Sequence, residues 1–172
     1  MTDSSTTPPH APVNGTDWPR AIATVGGLGF VRVAPGTVAS IAALPVAWLV
    51  MEFGGRSSGR FWLLFLAIFT AAVGAWACEL YSRARVDPDP SECVIDEVAG
   101  QLLICAFLPF PPTFWGFLLA FVLFRVFDIT KMWPINWVER NVPGGLGIMA
   151  DDIVAALIGS VIIAILANLG TV

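Results

Sequence analysis

An all-α helical bundle embedded in a membrane is the fold this sequence predicts, and three observations carry the prediction. Hydrophobic residues fill 56% of the 172 positions and charged residues only 13%, with a mean hydropathy of +0.77; soluble domains carry about 25% charged residues. The apolar residues gather into five stretches separated by short polar segments. Most charges sit at the ends of those stretches or between them, not along them. A chain of this length is expected to form one domain. The formal net charge of −4 speaks against a nucleic-acid partner, which calls for a basic face. Cys78, Cys93 and Cys105 make no CxxC pair and the single histidine, His10, lies in a tail, so no Cys/His zinc site is expected. The three cysteines read as small buried hydrophobes.

Taken in order, residues 1–17 are rich in Ser, Thr and Pro without apolar periodicity, and a disordered tail is expected there, followed by a membrane-embedded domain over 18–172. No basic segment precedes an apolar run, so a signal peptide is not expected. Residues 18–37 are too interrupted by glycine to span a bilayer. At their end, Ala34-Pro35-Gly36-Thr37 makes a turn after which Thr37 is expected to cap a helix, whose free N–H groups suit an anion. Five spans are then expected, over 38–53, 61–78, 94–110, 114–127 and 153–169. Pro45 is expected to kink the first, which a membrane helix tolerates when neighbours satisfy the freed carbonyl.

Five spans put the N-terminus, the 79–93 loop and the 128–151 loop on one side. That side holds Arg20, Arg32, Arg83, Arg85, Arg125, Lys131 and Arg140, against Arg56 and Arg60 on the other. Seven against two makes the first side cytoplasmic by the positive-inside rule. The acids follow the same partition. Asp96 and Glu97 open the third span, with Gly100 one turn further to permit close packing; Asp128 closes the fourth; Asp151 and Asp152 open the fifth. Carboxylates inside membrane segments are costly and point by default to function. One site at the cytoplasmic ends of several helices is the economical reading.

Carboxylates without His or Cys form a hard oxygen environment suited to Mg²⁺ or Mn²⁺. Arg125, Lys131 and Arg140, with helix N-termini, suit phosphate. Together they describe metal-assisted phosphoryl chemistry on a lipid phosphate. A small cation or proton transporter is the alternative from another class, since intramembrane acids also mark ion paths. It would want acids running through the bilayer, and here they cluster at one face. A CDP-alcohol phosphotransferase would need a DGxxAR-type motif, which the chain lacks.

The residues that carry this chemistry also carry a resemblance. Ala34-Pro35-Gly36-Thr37 with Ser40, Val94-Ile95-Asp96-Glu97-Val98 with Gly100, Phe124-Arg125-Val126-Phe127-Asp128 with Lys131 and Trp133-Pro134-Ile135, and Arg140-Asn141-Val142 through Gly144-Gly145-Leu146-Gly147 to Asp151-Asp152 resemble, in order and spacing, the phosphatidylglycerophosphatase A family of bacterial lipid phosphatases. The resemblance covers about residues 22–165. It implies Mg²⁺-dependent hydrolysis of phosphatidylglycerophosphate to phosphatidylglycerol and phosphate, by a multi-pass protein of the bacterial inner membrane with a cytoplasm-facing site. Carried onto these positions, it implies Asp96, Glu97, Asp128 and Asp152 as catalytic acids and, with Asp151, as metal ligands. Thr37, Arg125, Lys131, Arg140, Gly144 and Gly145 would hold the substrate phosphate. Direct attack by water and an aspartyl-phosphate route both remain open to these residue types. Ala39 and Ala156 stand where the family commonly has glycine, and Met132 where it has proline; no acidic motif position is lost.

Overall fold

A computed structural model describes residues 18–170, and every regular element among them is helical. The tail expected over 1–17 lies outside the described residues. A short α1 (Trp18–Ala23) and a 3-10 turn (Leu28–Phe30) lead into α2 (Pro35–Gly54). A π-type turn (Gly55–Gly59) folds the chain back into α3 (Arg60–Arg85). There follow α4 (Ile95–Cys105), α5 (Phe114–Thr130), α6 (Ile135–Asn141) and α7 (Gly144–Asn168).

Local chemistry sets several boundaries. Pro35 occupies the first position of α2, where its missing N–H costs nothing. The Thr113 hydroxyl accepts the Gly116 N–H at 3.0 Å and caps α5. At the other end Lys131 adopts a left-handed conformation (φ 42°) and stops α5. Thr37 does not take the capping role expected of it. The cap position of α2 is Ala34, with φ 47°, and no side chain bonds there. α2 runs through Pro45 without ending.

Among the described residues three helices, α2, α3 and α7, are long and apolar enough to cross a membrane. The expected third and fourth spans are shorter. α4 has 11 residues and α5 has 17, about 16 and 25 Å at 1.5 Å per residue, against a hydrocarbon core of about 30 Å. α4 is the hub of the bundle, packing against α2, α3, α5 and α7. Two other boundaries moved. α3 continues past Cys78 to Arg85, which puts Glu79 on a helix instead of in a loop. α7 begins at Gly144, so Asp151 and Asp152 lie two turns inside it and do not open it.

Size is distributed from inside to outside. Ala39, Ala43, Ala47, Ala67, Ala99, Ala120, Ala155 and Ala156 are buried between helices, while Trp48, Trp62, Phe65, Phe69, Trp76, Trp115 and Trp137 face outward. Small residues at helix crossings let backbones approach, and large apolar residues on the perimeter suit a lipid surroundings. At Gly100, where close packing was expected, an added Cβ would come within 2.5 Å of the Phe124 ring and 3.2 Å of the Asp152 carbonyl. That contact joins α4, α5 and α7 just below the acidic residues.

Candidate active site

The N-terminal turn of α4, the C-terminal turns of α5 and the first three turns of α7 meet at one end of the bundle. They enclose a cavity of about 290 Å³, completed by the loop through Asp89 and Ser91 and by Glu139 of α6. Seven carboxylates line it, from Asp89, Asp96, Glu97, Asp128, Glu139, Asp151 and Asp152, against one ammonium, Lys131.

The acids divide into two kinds. Asp96, Glu97 and Asp152 each bring a carboxylate oxygen within 4.8 Å of the others. Asp128 and Asp151 instead hold cations. Arg125 Nη1 lies 2.5 Å from Asp128 Oδ2 and 3.8 Å from Glu97 Oε1, so one guanidinium ties α5 to α4. Lys131 Nζ donates to Asp151 Oδ2 at 2.9 Å and to Glu139 Oε1 at 2.6 Å, pinning the α5–α6 connection to α7. Burial pulls the Lys131 pKa down, but the bonds to Asp151 and Glu139 outweigh it and hold the ammonium above the ordinary lysine value. Backbone N–H groups complete the acids' orientation, Glu97 N donating to Asp96 Oδ1 at 3.1 Å and Asp152 N to Asp151 Oδ1 at 3.0 Å.

A divalent cation fits this donor set. Glu97 Oε2 and Asp152 Oδ2 are buried without a hydrogen-bond partner among the described residues. A buried carboxylate oxygen left so is costly unless a cation meets it. Asp96, Glu97 and Asp152 offer the hard oxygen ligands that Mg²⁺ takes, all within 4.8 Å of one another.

The remaining expected site residues lie around this core with unequal access. Gly144 and Gly147 line the cavity. Gly145 is buried, and its N–H is already taken by the Glu79 carboxylate at 2.6 Å. Thr37 is half-buried and does not line the cavity; its neighbour Gly36 packs against a residue that does, since a Cβ there would fall on the Glu97 carboxylate. Arg140 is exposed and stands outside the lining.

A profile of the phosphatidylglycerophosphatase A family matches residues 21–167. The chain belongs to this family. It is thereby an enzyme, a phosphatase. Phosphatidylglycerophosphatase A of Escherichia coli K12 is 35% identical over 137 residues, covering 78% of this chain and 74% of the relative. The phosphatidylglycerophosphatase A of Haemophilus influenzae is 33% identical over 140 residues, covering 80% and 81%. A Bacteroides thetaiotaomicron protein provisionally named a phosphatidylinositol-3-phosphatase is 33% identical over 150 residues, covering 86% and 92%. No solved structure matches the chain.

Against the family pattern, the two alanines in place of glycine, Ala39 and Ala156, are both fully buried, so the helix crossings here accommodate a methyl group. Sequence reasoning missed Asp89 and Glu79, and it counted Glu139 among the charges of the 124–152 stretch without giving it a role. Glu139 stands eight residues from Lys131 across the Pro134 turn, a separation with no helical period to betray it. Glu79 meets Gly145 across 66 positions, and no local signal joins them.

Proposed function

We propose that this phosphatidylglycerophosphatase A family member hydrolyses the phosphomonoester of phosphatidylglycerophosphate, releasing phosphatidylglycerol and inorganic phosphate, with Mg²⁺ as cofactor. The observation that carries the reading is the gathering of Asp96, Glu97 and Asp152 within 4.8 Å, in a cavity at one end of a bundle whose perimeter is apolar and aromatic. The names of two relatives supply the substrate. The third relative's name also describes a phosphomonoester on a lipid headgroup, so the chemistry is common to all three.

Asp96, Glu97 and Asp152 would hold the metal. When bound, the ion neutralises phosphate charge and activates the attacking oxygen. The chain's own residues do the rest. Seven carboxylates against one lysine would repel a phosphomonoester dianion, so substrate enters productively only where cations face it. Lys131, fixed between Asp151 and Glu139, presents such a cation to the cavity, and the first turn of α7 at Gly144 and Gly147 adds the positive end of a helix dipole. Arg125 holds Glu97 and Asp128 in place. Net hydrolysis replaces the P–O bond to glycerol with a bond to water oxygen. A cavity carboxylate would take the proton lost by water and pass it to the departing glycerol oxygen, which leaves as the alcohol.

The excess of basic residues at the acidic end, seven against two, supports a cytoplasm-facing site in the bacterial inner membrane. The test of the function is phosphate release from phosphatidylglycerophosphate in detergent micelles, with Mg²⁺ and then with excess EDTA. Phosphatidic acid and phosphatidylinositol 3-phosphate serve as comparison substrates. Metal-dependent release that favours phosphatidylglycerophosphate is expected. A folded protein that releases phosphate from none of the three would end the proposal.

A further inference from the structure

The end of the bundle opposite the acidic cavity holds a second concavity, of about 390 Å³, whose wall includes Arg56, Arg60, Phe107, Phe110, Ala164 and Asn168. The two sites lie at opposite ends of the same helices. The acidic cavity takes the start of α4 and of α7, whereas Phe107 and Phe110 follow the end of α4 and Asn168 closes α7. Among the described residues no acidic side chain lines this second site.

Its two arginines differ in how they are held. Arg60 Nη2 donates to the Leu108 carbonyl at 3.2 Å, which keeps that guanidinium on the wall. Arg56 makes no hydrogen bond or ion pair among the described residues. The carbonyls at the C-terminus of α7 attract cations, but Asn168 Nδ2 already donates to one of them, Ala164 O, at 2.9 Å. Among the described residues the Arg56 guanidinium thus meets no counter-charge. An arginine that only reached for headgroups would need no concavity. Here two of them share one with aromatic and alanine walls, at the level where the membrane-crossing helices end.

We propose that this concavity binds the headgroup phosphate of an anionic phospholipid, drawn from the leaflet opposite the acidic cavity. Arg56 and Arg60 meet the phosphate by charge-assisted bonds, and Phe107 and Phe110 pack against the glycerol and first acyl carbons.

Lipid retained by the purified full chain in neutral detergent, counted by native mass spectrometry, tests the site. Phosphatidylserine and phosphatidylcholine are offered in equal amounts. Phosphatidylserine is chosen because it is not the product of the proposed hydrolysis. The native chain is expected to retain phosphatidylserine preferentially. Arg56→Gln with Arg60→Gln should remove the preference, at about fivefold per arginine, while elution volume and helical circular dichroism stay unchanged. Should the double variant not fold, Arg56→Gln alone, at a side chain with no hydrogen-bond or ion-pair partner among the described residues, should lower the preference about fivefold. Asp96→Asn should leave it intact. Equal retention of both lipids by the native chain overturns the proposal, as does a preference that survives the arginine changes. Loss of bound lipid to excess inorganic phosphate would mark a free-anion site instead, and also overturns it.

Discussion

At the scale of single residues, the site is built from side chains whose neighbours leave them little room. Asp96 changed to Asn keeps its volume and loses its charge, so the three-carboxylate group falls to two. Mg²⁺-dependent phosphate release should drop roughly 100-fold or more with the fold intact; full activity in a folded Asp96→Asn protein would remove Asp96 from the metal set. Gly36 makes a subtler case. By helix propensity alone Gly36→Ala should stabilise α2 by about 1 kcal/mol, yet the new methyl group would fall on the Glu97 carboxylate. The expected outcome is a melting temperature little changed and an activity at least about tenfold lower, since a displacement near 1 Å is enough to misplace a catalytic group. Undiminished turnover would show that Glu97 has slack. The individual acids were legible in the sequence because a carboxylate beside an apolar run is conspicuous. Their division into a clustered set and a set paired with basic side chains was not, because it depends on where Arg125 and Lys131 reach in three dimensions.

At the scale of elements, α7 is the least expected part of the fold. Gly144-Gly145-Leu146-Gly147 reads as a loop, since each helical glycine costs about 1 kcal/mol relative to alanine. The structure makes it helix because α3 demands it. A Cβ at Gly145 would strike the Ala75 carbonyl oxygen, and the Gly145 N–H is bonded by Glu79. Pro143 at the cap position offers no side-chain acceptor of its own, so the cap of α7 is supplied from another helix. Glu79 is itself braced by Arg83 at 2.6 Å. Glu79→Ala should therefore lower the melting temperature by about 2–4 °C, as loss of a helix cap does in a chain of this size. Glu79→Gln, which keeps an acceptor oxygen, should recover most of that loss. Equal melting temperatures for the alanine variant and the parent would show that the cap contributes nothing. The same reasoning explains why the sequence placed the start of this helix nine residues late: the signal for its first two turns resides in α3.

At the scale of the whole molecule, the acidic cavity joins several helices around the proposed Mg²⁺ site. The three clustered carboxylates come from α4 and α7, with α5 tied in through Arg125 and Asp128 and α2 pressed on Glu97 at Gly36. An ion that binds only the folded state stabilises it by mass action, about 2.7 kcal/mol at a hundred times its dissociation constant. Mg²⁺ should thus raise the melting temperature of the native chain, and the shift should vanish with EDTA or in Asp96→Asn; an unshifted transition in saturating Mg²⁺ would argue against a shared ion. Orientation is tested at the same scale. The described cysteines, Cys78, Cys93 and Cys105, are all buried, so exposed Ser58 and Ser91 can each be changed to Cys over a quiet background. A membrane-impermeant maleimide should label Ser58→Cys in cells with only the outer membrane opened, and Ser91→Cys only after the inner membrane is broken. The reverse pattern would turn the site outward.

The placement of alanine inside and tryptophan outside has a bearing on how this gene can drift. In a water-soluble protein the aromatic positions are the intolerant ones and alanines are free to vary. Here Ala47, Ala67, Ala99 and Ala155 are fully enclosed, while Trp62, Trp76 and Trp115 are more than half exposed. Enlarging an enclosed alanine forces two helices apart, whereas trading an outward tryptophan for another apolar residue only changes which lipid tail it touches. A saturation mutagenesis map of this chain should look like the photographic negative of a soluble enzyme's, dark at its smallest residues and pale at its largest.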